Sequence, residues 1–188
     1  KGKGKVVGVI GDSTFLHSGM TPLLDMAYNQ SDALIIILDN STTAMTGMQE
    51  HPGTGYTLMG KETKKVKLID LVSSIGIENI KVVDPINQEE TRNAIKEELA
   101  QRGPSVIIAQ RPCALFKRSN IKSKPALKVD QDKCEGCRAC IGLNCPPISW
   151  KKGVTKEGSK RKGVSFIDAT LCNGCGLCAQ VCKFGAIS

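Results

Sequence analysis

The 188 residues predict an α/β fold, a parallel doubly wound sheet, followed by a small second domain of a different kind. Three observations predict this. Short β-branched runs alternate with stretches of helical periodicity through residue 112, the pattern of strands joined by crossover helices. The charge balance then changes: residues 1–112 carry net −1, residues 113–129 carry five basic and no acidic side chains, and residues 130–188 carry net +4. Eight of the nine cysteines lie beyond that change. The expected organisation is therefore a domain over 1–112, a basic linker over 113–129 and a second domain over 130–188.

The elements follow in order. Lys5–Ile10 is a β-branched strand ended by Gly11-Asp12-Ser13. Thr21–Gln30 has apolar residues at helical spacing (Leu23, Leu24, Ala27, Tyr28). Ala33–Leu38 is a continuous apolar run, as expected of a strand buried on both faces. Leu68–Ile75 reads as a helix stopped by Gly76, Ile80–Val83 as a strand, Gln88–Gln101 as a helix and Ser105–Ala109 as a further buried strand.

Composition excludes several classes. Apolar residues make up 40% and charged residues 23%, so the chain can bury a core. Aromatics are only 4%, so aliphatic side chains must fill it. The longest apolar run, Ala33–Leu38, is far too short for a membrane span, and no secretory leader is evident. We expect no membrane association and a cytoplasmic protein. The net charge of +8 lacks the interleaved aromatics of a nucleic-acid surface, so no nucleic-acid partner is expected. The chain starts at Lys1, and Val6 already reads as the middle of a domain, which suggests a fragment.

The cysteines form a repeat: Cys134, Cys137, Cys140 and Cys145, then Cys172, Cys175, Cys178 and Cys182. The spacings are C-x2-C-x2-C-x4-C-P and C-x2-C-x2-C-x3-C. A disulfide framework would want a secreted chain. Zinc ribbons use two separated C-x2-C knuckles and would leave the third cysteine of each triplet over. A [4Fe–4S] cube takes three thiolates from one short loop and a remote fourth, which suits this pattern best. Cys113 stands apart and reads as a buried small hydrophobe. The basic residues Lys151, Lys152, Lys156, Lys160, Arg161 and Lys162 read as an exposed loop, with Trp150 as a packing residue at its edge.

CEGCRACIGLNCPPI and CNGCGLCAQVCKFGAI resemble the two halves of a bacterial two-cluster ferredoxin domain, a small α+β fold, over residues 130–188. The resemblance implies crossed ligation. Cys134, Cys137, Cys140 and Cys182 would hold one [4Fe–4S] cluster, and Cys172, Cys175, Cys178 and Cys145 the other. The sequence departs from that family in one extra residue within 141–144 and in Lys183, where proline usually follows the last cysteine.

Two polar turns follow strands in the first segment, Gly11-Asp12-Ser13 and Asp39-Asn40-Ser41-Thr42. In an open parallel sheet, ligands bind beyond the carboxyl ends of the strands, so the two turns face one crevice if their strands are neighbours. The Asp12 carboxylate, the Asn40 amide oxygen and the Thr42 carbonyl are hard donors suited to Mg²⁺. GDS, 25 residues, then DN resembles the thiamine diphosphate signature. The stretch GDSTFLHSG…LDNSTTAMTGMQEHPGTG resembles, more closely still, the alpha subunits of the indolepyruvate ferredoxin oxidoreductases, among the 2-oxoacid:ferredoxin oxidoreductases. That family also ends in a two-cluster ferredoxin domain.

The resemblance implies a partial thiamine diphosphate-binding fold, with Mg²⁺ held by Asp12, Asn40 and the Thr42 carbonyl. Gly11, Ser13 and Thr14 would lie near the diphosphate, and Asn40, Ser41, Thr42, Thr43, Ala44 and Met45 would line the cofactor. It implies thiamine-dependent oxidative decarboxylation of a 2-oxoacid, coenzyme A as acyl acceptor, a beta subunit, an external ferredoxin and an anaerobic or microaerobic prokaryote. His17, read as opening the helix after the Asp12 turn, and His51, in the loop HPGTG, are candidates for reaching the cofactor or substrate. The pyrimidine-binding domain of such enzymes is not in this sequence, so no general acid or base is assigned. Two alternatives stand beside this reading. One is a pyruvate or 2-oxoglutarate oxidoreductase subunit, and the other is a non-catalytic electron-transfer module.

Overall fold

The structure is a computed structural model describing residues 4–116, 124–155 and 161–188. It contains two compact units, Lys1–Ile121 and Lys122–Ser188. The division falls inside the stretch expected to be a linker, and both ends of that stretch are tied into a unit. The Cys113 amide donates to the Asn40 carbonyl, and Lys128 and Ser188 exchange backbone hydrogen bonds beside a Val129–Ile187 bridge. No helix among the described residues is long and apolar enough to cross a membrane.

The first unit has four parallel strands, β1 (Val6–Gly11), β2 (Ala33–Asp39), β3 (Asn79–Val83) and β4 (Ser105–Gln110), in the order β1-β2-β4-β3. Successive side chains on a strand point to opposite faces, and each face has its own helices. Ile37, Val106 and Ile108 pack with Phe15, Leu23, Met26, Leu68 and Val72, from the segment after β1 and from α3 (Leu68–Ser74). Leu34, Ile107 and Ala109 pack on the opposite face with Ala94 of α4 (Gln88–Ala100). The sheet is doubly wound, as the sequence predicts. Every residue from Ser105 to Ala109 is buried, because helices cover both faces of β4.

Two expectations need correction. β2 is not wholly buried: Leu38 is 46% exposed, and Val7 and Val9 beside it on β1 are 44% and 62% exposed. α4 packs on β3 and β4 and leaves this part of its face open. The first helical segment begins at Asp12, well before Thr21. It runs through α1 (Asp12–Thr14), a π-helical turn (Phe15–Gly19) and α2 (Met20–Tyr28). Phe15, Leu16 and Gly19 carry the buried stripe of α2 back toward the strand. Gly19 is there for close approach, since a Cβ would come within 2.8 Å of the Phe15 ring and 2.9 Å of Ile10. His17 therefore sits in the middle of this segment, with its residue exposed, and does not open it.

The second unit pairs β5 (Ile148–Lys152) with antiparallel β6 (Gly163–Ile167) and adds α5 (Leu177–Val181). Its core is built from Cys140, Cys178, Ile167 and Ile187. Cysteines stand where a larger domain would place leucines. Lys151, Lys152 and Lys162 are exposed, but Arg161 is 9% exposed, which corrects its reading as part of an exposed loop. Its guanidinium donates to the carbonyls of Gln131, Cys134 and Thr155, and these bonds hold it inward. Lys156 and Lys160 lie outside the described residues. Trp150 packs against Gly163, whose Cβ would meet the indole at 2.8 Å, and carries the Arg138 guanidinium 4.4 Å above its ring.

Candidate functional site

β1 and β2 are neighbours in parallel register, with Gly11 opposite Leu38. Their carboxyl ends therefore bring the two polar turns together. Asp12, 2% exposed, is the hub. Its Oδ1 accepts from the Ser13 amide at 2.8 Å and its Oδ2 from the Ser41 amide at 2.9 Å. Ser41 adopts φ +59, which turns that amide inward, where it also donates to Asp39 Oδ1 at 2.9 Å. The Thr43 hydroxyl donates to Ser13 Oγ at 3.0 Å, a second link between the turns. The Thr42 amide donates to Asn40 Oδ1 at 3.2 Å, and the Thr42 side chain is buried with Oγ1 unpartnered. Gly11 caps the segment at the end of β1, Thr14 is exposed, and Ala44 and Met45 begin a short turn in which Met45 projects fully into solvent.

His51 belongs to this site. Its side chain is 6% exposed, with Nε2 standing 3.4 Å from Asp12 Oδ2. Its Nδ1 accepts from the Gly53 amide at 3.1 Å, which leaves the neutral ring's proton on Nε2, facing the carboxylate. Burial opposes ionisation of Asp12, but the facing His51 and the Ser13 amide outweigh it and hold the carboxyl below the ordinary carboxylate value. A carboxylate with about four lone-pair sites still has acceptor capacity after two amide bonds. The donor set therefore fits a hard cation. A cavity of about 260 Å³ opens here, walled by Asp12, Asp39, His51 and Gln110 and edged by Lys65 and Lys67. Asn40, Thr42 and His17 are not among its walls.

The sequence reading missed Asp39 as a site residue, together with Gln110, whose Nε2 donates to Asp39 Oδ2 at 2.7 Å. Both end strands, so the rule that pointed to Gly11 and Asn40 would have found them once the strand order was known. Lys65 and Lys67 carried no signal, since they approach only through the long segment after His51.

The nine cysteines are all free thiols, and all but Cys113 fall in the two groups. Cys134, Cys137, Cys140 and Cys182 line one small cavity, together with Ser165 and Ala186. Cys145 lies within electrostatic reach of Cys172 and Cys175, although it is nearer in sequence to the first triplet. Burial, with neighbouring Cys175 and then Cys172 and Cys145, pushes the Cys178 thiol up to about 11. Burial first, then Cys175 and Cys172, also raises Cys145. Burial therefore opposes ionisation of Cys178 and Cys145, and a metal that binds them must displace their protons. Among the described residues, no three Cys, His or carboxylate side chains converge closely enough for a single ion. A four-iron cube takes its thiolates at separated corners, so it accepts a wider arrangement. Cys113 is half-buried, which corrects its expected burial, and Lys183 beside Cys182 is exposed.

Residues 1–109 match the family described as "Thiamine pyrophosphate enzyme, C-terminal TPP binding domain", and residues 166–188 match "4Fe-4S binding domain". The indolepyruvate oxidoreductase subunit IorA of Pyrococcus horikoshii is 41% identical over 191 residues, covering 99% of this chain and 28% of that protein. Subunits of the same name from Archaeoglobus fulgidus and Methanothermobacter thermautotrophicus are 40% and 38% identical, each over 97% of this chain and 28% of their own length. The chain thus spans about 28% of the length of these relatives. Because the first match takes in more than half of its residues, the chain belongs to the thiamine pyrophosphate enzyme family, through that family's C-terminal TPP-binding domain.

Proposed function

We propose that this chain is the thiamine-binding and electron-collecting part of a 2-oxoacid:ferredoxin oxidoreductase acting on indolepyruvate or a related aryl pyruvate. One observation carries the reading. A single chain joins a carboxylate-walled crevice at parallel strand ends to two groups of four cysteines. Asp12, Asn40 and the Thr42 carbonyl would hold Mg²⁺, with Gly11, Ser13 and Thr14 near the diphosphate and Lys65 and Lys67 adding positive charge at the cavity edge. Bound thiamine diphosphate would supply an electron sink for loss of CO₂. His51 and the Ser41 amide keep Asp12 oriented and ionised through Oδ2, and the Ser13 amide fixes Oδ1.

The overall reaction releases two electrons as the 2-oxoacid becomes CO₂ and an acyl-coenzyme A. A [4Fe–4S] cluster takes one electron, so two clusters match the demand. On this proposal Cys134, Cys137, Cys140 and Cys182 hold one cluster, and Cys145, Cys172, Cys175 and Cys178 hold the other. A beta subunit completes the assembly and an external ferredoxin accepts the electrons. The test is CO₂ release and ferredoxin reduction by the native assembly with coenzyme A and indolepyruvate, pyruvate or 2-oxoglutarate. Preferred turnover of indolepyruvate is expected. Preference for either other acid would reassign the substrate. Reducible clusters without thiamine diphosphate binding would make the chain an electron-transfer module only.

A further inference from the structure

Ser165 lies on β6, the strand facing the first cysteine group, and is 2% exposed. Its hydroxyl stands 3.0 Å from Sγ of Cys140, itself 7% exposed. A hydroxyl buried this deeply needs a partner, and here the partner is a proposed cluster ligand. Either atom can donate when Cys140 is a thiol. A thiolate bound to iron has no proton, so Ser165 must then be the donor. Two further groups favour negative charge at the same four sulfurs. The Ala186 amide donates to Cys182 Sγ at 3.3 Å. The buried Arg161 guanidinium is fastened by Nη1 at 2.7 Å to the carbonyl of Cys134.

We infer that Ser165 is a positioning residue that raises the reduction potential of the cluster held by Cys134, Cys137, Cys140 and Cys182. This rests on the proposed ligand set. Reduction adds one electron to the cube, makes the cluster with its thiolates one charge more negative and moves no proton. A donor aimed at a ligand sulfur stabilises the more negative state more strongly, which is one of the ways a protein sets cluster potential. Arg161 and the Ala186 amide act in the same sense, but removing either would disturb the backbone of the ligand loops. Ser165 is the contributor that can be removed with least damage.

The experiment is a redox titration of the iron-loaded native assembly, followed by electron paramagnetic resonance, with Ser165→Ala beside the unsubstituted protein. At a fixed potential, the reduced-to-oxidised ratio of one cluster should fall about fivefold to tenfold, on the order of one ordinary hydrogen bond, because the sulfur is an acceptor in both redox states and only the difference between them counts. The ratio of the other cluster should stay put. Proton hyperfine spectra of the reduced cluster should show an exchangeable coupling that vanishes in heavy water and is absent from Ser165→Ala. That signature distinguishes a lost hydroxyl from a loosened fold. Native iron content with neither cluster shifted, or with both shifted equally, would overturn the role of Ser165 alone. If Cys137→Ala, which leaves no donor atom at that corner, left both cluster signals intact, the ligand set itself would be wrong, and the inference would fall with it.

Discussion

Asp12 shows how much one side chain can gather. It follows β1, starts the helical segment, accepts two amides and faces His51. Each contact lowers the cost of keeping a buried carboxylate ionised, and an ionised carboxylate is what a cation beside a diphosphate needs. Asp12→Asn keeps the shape and most of the hydrogen bonds. Thiamine diphosphate affinity in the presence of Mg²⁺ should fall at least about tenfold, given roughly 1.5–3 kcal/mol for an interaction with a charged group. Isothermal titration calorimetry measures this, with unchanged iron content as the control. Unaltered affinity would make the turn purely structural. At the same scale, Gly163 marks a close approach, since a Cβ there would press on the Lys151 carbonyl and the Trp150 ring. Gly163→Ala should destabilise the second unit by about 1–3 kcal/mol, the usual cost of overpacking, read as a lower unfolding midpoint.

Strands and loops decide which of these residues meet. Ile107 on β4 is fully buried on the face covered by α4. Ile107→Ala should cost about 2–5 kcal/mol in chemical denaturation of the first unit. An equivalent truncation at the exposed Val9 on β1 should cost well under that. The crossed cysteine loops make a sharper prediction. Cys145→Ser should damage the cluster of Cys172, Cys175 and Cys178 and spare the other, as resolved by their separate resonance signals. Loss of the other cluster alone would refute the crossing. Every strand of the sheet was legible within a few residues, because each run is short, apolar and bounded by turn residues, and α3 and α4 were legible to the same precision between such turns. The start of the first helical segment was not. Gly19 and the polar Ser13, Thr14 and Ser18 interrupt the periodic pattern there, while packing against Ile10 overrides local propensity.

Across the whole molecule the proposed metal content is the quantity that tests the reading. Anaerobically loaded protein should contain about eight iron and eight sulfide per chain, the content of two [4Fe–4S] clusters. Stoichiometric zinc without broad visible absorption would refute it. The matched iron–sulfur family reaches only residues 166–188, so the count for the first cysteine group rests on this measurement. Chelation under reducing conditions should melt the unit Lys122–Ser188, whose core is partly its cysteines, and leave the helical signal of the first unit in place. The sequence by itself determined the alternation of strands and helices, the two cysteine groups and the polar turns, because periodicity and spacing are local properties. Only the tertiary structure decided that β1 and β2 are neighbours, that His51 and Gln110 come to the Asp12–Asp39 cluster, and that Ser165 turns its hydroxyl to Cys140. Strand order and the partners of buried polar groups depend on packing between residues distant in the chain, and no local pattern encodes that.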